Sequence, residues 1–254
     1  MVENIANNYG VMLNHRSVRD YQVGKEIPRE QLELIFKSIN NAPTSINGQT
    51  ISVINIVDKN LRKKVAELCW NQRHIVECST FLIFCMDFYK VDFALKQKNL
   101  EMKIHESVES LMVGSVDNGI ALGITTMLAE VMGLYTCCIG AVRQNLQELS
   151  DLLNLPQYVV PMVGMCLGYA KEDLLPSIKP KMPISSFVMD DSYDTKVVES
   201  NIVDYNKTMQ KYFTERGGEI ENVDWTDKIA NFYTKVYYPE EKACLEKKGF
   251  SCKL

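Results

Sequence analysis

The sequence predicts an α+β protein: a small mixed, mostly antiparallel sheet covered by helices on both faces. Three observations carry this. Four short apolar runs, at 51–57, 81–86, 135–139 and 159–169, have the composition and length of buried strands. A long apolar stretch over 107–133 reads as one central helix. The strands do not alternate strictly with helices and no G-x-G-x-x-G is present, so a doubly wound dinucleotide fold is not indicated.

The elements follow in order. Ile5, Tyr9, Met12 and Leu13 recur at helical spacing, giving a first helix over 2–14. Pro28 suits the first position of a second helix, whose apolar face is Leu32, Ile35, Phe36 and Ile39 and which stops at Asn40-Asn41-Ala42-Pro43. Residues 44–49 form a loop by composition. Asp58 caps a helix reaching Cys69, with Leu61, Val65 and Leu68 in register. The helix over 107–133 keeps Gly114, Gly119 and Gly123, each costing about 1 kcal/mol in a helix interior. Close packing against its backbone would explain them, either in the domain centre or in a subunit interface. A short helix over 145–153 precedes the last strand. Residues 171–187 are loop, with Pro176, Pro180 and Pro183, and helices follow at 200–214, 226–236 and 239–248 around a Gly217-Gly218 break. There is no internal repeat.

Composition narrows the function. The 254 residues carry 28 Lys and Arg against 32 Asp and Glu, a net charge of −4, with 46% hydrophobic and 24% charged residues. These are globular values, and a chain of this length buries most of its unfolded surface. A mildly acidic chain lacks the broad basic field that nucleic acid requires, so any anion site must be local. The eight cysteines form no C-x-x-C or zinc spacing, and the three histidines form no HxxxH or HxH. Buried free thiols and no metal site are expected. The first residues have no basic or apolar leader, and the most apolar stretch, 111–134, contains Asp117, Asn118 and Glu130. A cytoplasmic protein without a membrane span is expected.

Four segments could carry chemistry. His15-Arg16-Ser17-Val18-Arg19 gathers potential cations and a hydroxyl; in an extended backbone Arg16 faces away from His15, Ser17 and Arg19. Arginine forks and short donors suit phosphate. Lys179-Pro180-Lys181 presents two cations on a stiff segment. Cys138-Ile139-Gly140-Ala141 ends a strand in small residues, where a flat ligand can approach the backbone. Gln72-Arg73-His74 supplies an amide and a candidate acid or base. Each alone is also compatible with solvated surface or ordinary packing. No G-x-S-x-G and no P-loop is present.

In this order, the segments resemble the FMN-dependent nitroreductase family, in the branch of the oxygen-insensitive NAD(P)H nitroreductases and related flavin reductases. His15-Arg-Ser-Val-Arg19 is similar to the branch's opening H-R-S-[IV]-R, and Ala42-Pro-Thr-Ser45 with Gln49 to its serine-rich loop. Gln72-Arg-His74 falls where it has Gln-Lys-His, Cys138-Ile-Gly-Ala141 where it has [YF]-I-G-G, Leu167-Gly-Tyr169 at its L-G-[WY], and Lys179-Pro-Lys181 at its K-P-R. The resemblance covers about residues 10–250.

The resemblance implies a single nitroreductase-like domain over 1–254, with 188–254 a C-terminal helical extension packed on an intertwined homodimer. It implies two FMN sites at the dimer interface. His15, Arg16, Ser17, Lys179 and Lys181 would hold the phosphate. Arg19 would sit at the N1/O2 edge and Gln72 at the pyrimidine edge. Cys138, Ile139, Gly140 and Ala141 would approach N5 through the backbone. Thr44, Ser45, Ile46 and Gln49 would belong to the loop that reaches the other subunit's flavin. The implied enzyme moves hydride from NAD(P)H through flavin N5 to electron-poor acceptors (nitroaromatics, quinones, free flavin) by a ping-pong mechanism, with no catalytic acid or base. A flavin-binding protein without turnover and a specialised reductase of the same fold are the alternatives.

Three departures stand out. Lys181 replaces an Arg and loses its fork, and Ala141 replaces a Gly. In 212–225, where the branch grips the 2′-phosphate of NADPH with basic residues, this chain keeps Arg216 but places Glu219, Glu221 and Asp224 nearby. Carboxylates there repel a 2′-phosphate, so use of NADH is expected.

Overall fold

A computed structural model describes residues 10, 11, 13–216 and 223–251. It divides into two compact units, Met1–Pro176 with Glu240–Leu254, and Ser177–Pro239. The predicted first helix falls almost wholly outside the described residues; only 10, 11 and 13 are seen, and they are helical. The Gly217-Gly218 break, Glu219, Glu221 and Cys252 also lie outside them.

The first unit is built on four strands, β1 (Ile51–Asn55), β2 (Thr80–Asp87), β3 (Tyr135–Ile139) and β4 (Val159–Gly168), in the order β1-β2-β4-β3. Among the described residues every pairing is antiparallel, so the sheet there is not mixed. All eight residues of β2 are buried, and their two-residue period sorts them onto two faces. Phe81, Ile83 and Cys85 share a cluster with Val65 and Ala66 of α2 (Lys59–Leu68) and Ile75 of α3 (Arg73–Glu77). Leu82 and Phe84 pack with Ile35 of α1 (Arg29–Asn40) and with Ala121 and Ala129 of the long central helix. Helices therefore cover both faces, as expected. Pro161 sits inside β4, where a proline cannot donate to a ladder. The register shift between Phe84 and Cys85, opposite Val163 and Pro161, is the irregularity that accommodates it.

The boundaries follow local chemistry. Pro28 precedes α1 as its cap rather than entering its first turn. Asp58 caps α2, its carboxylate accepting from Leu61 N at 2.6 Å. Two short helices escape the periodicity, α3 and α4 (Tyr89–Lys96). After them come α5 (Glu109–Val131), α6 (Leu146–Leu152) and, in the second unit, α7 (Thr195–Glu215) and α8 (Trp225–Tyr233). Tyr205, Met209 and Tyr212 of α7 form a small core there with Met182, Phe213 and Trp225. The last helix, α9 (Glu241–Lys247), belongs to the first unit, where Arg143 joins Glu241 to the carbonyl of Met162 at 2.8 and 2.6 Å. Six cysteines (69, 78, 85, 137, 166 and 244) are buried and free, as expected; Cys138 is exposed.

Helix α5 is long and apolar enough to cross a membrane by length and composition, yet it turns Asp117 and Asn118 inward, 1% and 2% exposed. Its glycines divide into two kinds. A Cβ on Gly114 would run into the side chain of Met86 on β2, so this glycine is where helix and sheet close. Gly119 and Gly123 meet nothing within 4 Å. They lie on an outward stripe with Met112, Val116, Met127 and Val131, all exposed. Gly114→Leu is expected to cost about 1–3 kcal/mol through overpacking, seen as a lowered melting temperature. An unchanged melting temperature would show that Met86 can move away.

Candidate functional site

The His15–Arg19 segment is extended and stitched into the sheet. Val18 N donates to Thr136 O of β3 at 3.0 Å, Lys171 N to Asp20 O at 2.9 Å and Gln22 N to Tyr169 O at 2.8 Å. Its side chains alternate as the sequence suggested: His15, Ser17 and Arg19 are exposed, while Val18 is 1% exposed and Arg16 and Asp20 are half-buried. Arg16 donates to the carbonyls of Asn14 and Pro176, both at 3.3 Å. His15 Nδ1 meets Glu130 Oε1 of α5 at 2.5 Å.

A salt-bridge network joins this segment to the turn carrying Gln72. The two terminal nitrogens of Arg73 bind Asp20 and Glu77, the latter at 2.9 Å. One planar guanidinium reaches two carboxylates, which a lysine at this position could not do with a fixed fork. Gln72 is the residue preceding α3, and Trp70 and Asn71 before it adopt positive φ of 61° and 53°. Tryptophan in that region is uncommon, so this turn is held by its surroundings rather than by local preference.

His74 is 7% exposed, and its Nε2 is buried with no hydrogen-bond partner. Burial, with Arg19 and Arg73 adding to it, pushes the imidazole down from 6.5 to about 4, while Glu77 and Asp20 oppose. The ring is therefore neutral at pH 7 and is no proton donor there. The sign of the linkage follows. The unfolded chain binds the proton below about pH 6.5 and the folded one only near 4, so the stability due to neutral His74 is intact above 6.5 and lost as pH falls towards 4. The full loss is about 3 kcal/mol. Thermal melts from pH 7 to 4 should show it, and His74→Gln should remove it; an identical pH profile in that variant would contradict this assignment.

β3 ends at Ile139, 2% exposed, and turns into a 3-10 segment Gly140–Arg143 in which Ala141 is also 2% exposed. Cys138, between two buried neighbours, is exposed. Because Val18 binds Thr136 and Arg73 binds Asp20, the extended His15–Arg19 segment, β3 and the turn that carries Gln72 are contiguous in the first unit.

The Thr44–Gln49 loop is built around a 3-10 turn, Ser45–Asn47. Ile46 at its tip is 98% exposed with φ of 48°, a strained setting for a β-branched residue. Asp117 of α5 anchors the loop: its carboxylate accepts from Ser45 N at 3.0 Å and from Thr50 Oγ1 at 2.6 Å. Gln49 N donates to Thr44 Oγ1 at 3.1 Å. Asp117 and Glu130 were not among the expected site residues; a lone acid inside an apolar helix was the signal available for each.

Lys179 and Lys181 belong to the second unit and are exposed. There Tyr212 OH receives a hydrogen bond from Arg216 Nη1 at 3.0 Å, and the guanidinium stacks over its ring. Burial raises the Tyr212 hydroxyl, but its hydrogen bonds with Ser177 and Arg216, with the charges of Arg216 and Lys179, outweigh that and lower it. Asp224 is occupied as the cap of α8, accepting from Asp227 N at 3.0 Å in a reciprocal capping box.

The chain is similar to known proteins over nearly its whole length. Residues 12–169 match the family described as "Nitroreductase family", and residues 179–253 the "Nitroreductase family, C-terminal domain". The chain is 39% identical over 241 residues to "FMN reductase [NAD(P)H]" of Bacillus subtilis, covering 94% of this chain and 96% of that protein. It is 32% identical to a "CR(VI) reductase" of a Pseudomonas species, covering 96% and 98%. The solved structure of the hypothetical oxidoreductase YcnD from Bacillus subtilis superposes with a TM-score of 0.92 at 38% identity, covering 97% of this chain and 99% of that one. The chain belongs to the nitroreductase family, within its FMN-dependent nitroreductase and flavin reductase group, and is an oxidoreductase.

Proposed function

We propose that this protein binds FMN between two copies of itself and carries hydride from NADH or NADPH to electron-poor acceptors by a ping-pong mechanism. The observation that carries this reading is the contiguity of the extended His15–Arg19 segment with β3, which leads into Gly140–Ala141, and with the turn that carries Gln72. The donor set fits a flavin mononucleotide. It offers a row of exposed basic and hydroxyl groups for a phosphate, an amide for a pyrimidine edge and small residues where a ring must lie against backbone. The family and the printed name of the Bacillus subtilis relative point to the same cofactor and to both nicotinamides.

When bound, FMN supplies the two-electron redox chemistry. The chain holds and tunes it. His15, Arg16 and Ser17, with Lys179 and Lys181, hold the phosphate. Arg19 places a fixed positive charge at the N1/O2 edge, where negative charge grows on reduction. Gln72 would hold the pyrimidine edge, and the backbone from Cys138 to Ala141 would approach N5. Thr44, Ser45, Ile46 and Gln49 reach the flavin of the second copy, which explains a strained isoleucine left fully exposed on one chain. The outward stripe of α5 supports the dimer, because an exposed row of Met, Val and Gly is the surface a second helix would cover. The resemblance would make the chain one nitroreductase-like domain with 188–254 its C-terminal helical extension, in a cytoplasmic enzyme.

Arg216 would meet the nicotinamide cofactor, but its guanidinium is already shared with the Tyr212 hydroxyl. A dedicated 2′-phosphate grip is therefore weak, and steady-state turnover with either nicotinamide and one fixed acceptor should give comparable kcat/KM values. A preference for NADPH of about hundredfold or more would contradict this.

A further inference from the structure

Glu130 stands where a carboxylate is costly. It is the penultimate residue of α5, whose last turn holds no base, so its charge opposes the partial negative charge of the helix C-terminus. Its side chain is only 10% exposed, so it also gives up most of its hydration. Among the described residues its one ion-pair partner is His15, which lies 115 positions away and brings Nδ1 to 2.5 Å from Oε1. The His15 side chain is 43% exposed, on the outward face that also carries Ser17 and Arg19. The pair therefore runs from a largely buried acid to a ring open to solvent. The other charged or titratable groups beside Glu130 are Arg16 and Tyr135, which line one cleft with it. Arg16 donates to the carbonyls of Asn14 and Pro176 instead.

The geometry has a chemical consequence at the far side of the ring. A carboxylate accepts, so Nδ1 carries a proton and donates it to Glu130. A neutral imidazole would then turn a lone pair outward at Nε2, whereas an imidazolium turns an N–H outward. A phosphate dianion offers only acceptors, so His15 can hold one only as the imidazolium. A carboxylate in contact with the ring favours that form.

We propose that Glu130 is a positioning residue that keeps His15 an imidazolium, with Nδ1–H on the carboxylate and Nε2–H presented to the flavin's phosphate. The inference rests on the proposed function, in which His15 holds that phosphate. Glu130 touches neither the phosphate nor the flavin ring and acts through His15, as outer carboxylates orient ligating histidines elsewhere. It makes the chain select a flavin that bears a phosphate over one that lacks it.

The test compares FMN with riboflavin, which has the same ring and no phosphate, by fluorescence titration of the full-length protein stripped of flavin. Glu130→Gln should weaken FMN by about tenfold and leave riboflavin unchanged. His15→Gln should cost FMN a similar factor, and the double variant no more than either single one. Nitrogen NMR at pH 7 supplies a readout independent of flavin. The chain has three histidines, and the His15 signals are those that vanish in His15→Gln. Both ring nitrogens should be protonated in the wild type, and only one in Glu130→Gln. Equal weakening of FMN and riboflavin would show a merely structural role and overturn the proposal. Unchanged or tighter FMN binding in Glu130→Gln would overturn it too, the latter by showing that the carboxylate simply repels the phosphate. Should that variant not fold, a neutral His15 ring in the wild type at pH 7 would still overturn it, and a doubly protonated ring would support it. Wild-type protein that binds neither flavin would remove the proposed function itself, and this inference with it.

Discussion

Asp117→Ala should release the Thr44–Gln49 loop and with it the flavin. Asp117 is 1% exposed, and its two carboxylate oxygens are taken by Ser45 N and Thr50 Oγ1. Thr50 is itself only 3% exposed. Truncation leaves the buried Thr50 hydroxyl and the part-buried Ser45 amide without their acceptor. Removing a buried charge returns some desolvation energy, so the net loss is about 2–4 kcal/mol rather than the sum of two strong hydrogen bonds. For a chain of this size that is a fall of roughly 5–15 °C in melting temperature. The purified variant should also carry less FMN than the wild type, because the loop is assigned to the second copy's flavin. Asp117→Asn keeps the shape and one acceptor and should recover part of both. A variant with Ala at this position that melted like the wild type and kept its full flavin content would refute the anchor.

Arg19→Ala is expected to separate chemistry from folding. Its side chain is exposed, and the segment is held by backbone hydrogen bonds from Val18 and to Asp20, so the fold loses little. Under the proposed assignment, its charge at the flavin's N1/O2 edge would be worth about a hundredfold in kcat, by analogy with other single donors aimed at developing negative charge. The flavin's reduction potential should fall with it, since the reduced anionic form loses its nearest cation. Arg19→Lys should keep the charge and recover most of the potential. A further consequence is local: Arg19 helps push His74 down, so its removal should raise the His74 titration midpoint above about 4. Unchanged turnover and potential in Arg19→Ala would refute the role.

The strands and long helices were legible because their periodicity and composition agree. β3 falls on Tyr135–Ile139, where the apolar run predicted it, and both faces of β2 are covered because every one of its residues is apolar or buried. The short helices were not legible. α3 is five residues long and follows Trp70, whose positive φ no local preference favours. α4 opens directly behind β2, its first amides, Tyr89 N and Lys90 N, bound by Asp87 at the end of that strand rather than by the N-cap residue Phe88. At the site, the H-R-S-V-R strand showed its alternation in the sequence, since an extended backbone imposes it. Its supports did not. Asp117 and Glu130 read as interruptions of an apolar run, and their partners Ser45, Thr50 and His15 stand 72, 67 and 115 residues away. The glycines of α5 were read as one feature and are two: Gly114 closes on the sheet, whereas Gly119 and Gly123 face outward.

The most direct test is anaerobic rapid mixing of the purified protein with one equivalent of NADH or NADPH per chain. The account predicts about one FMN per chain, a visible flavin band bleached by either nicotinamide, and its return when a nitroaromatic or quinone is added. Protein that purifies without flavin and takes up none, or that holds FMN whose band neither nicotinamide bleaches, would contradict it.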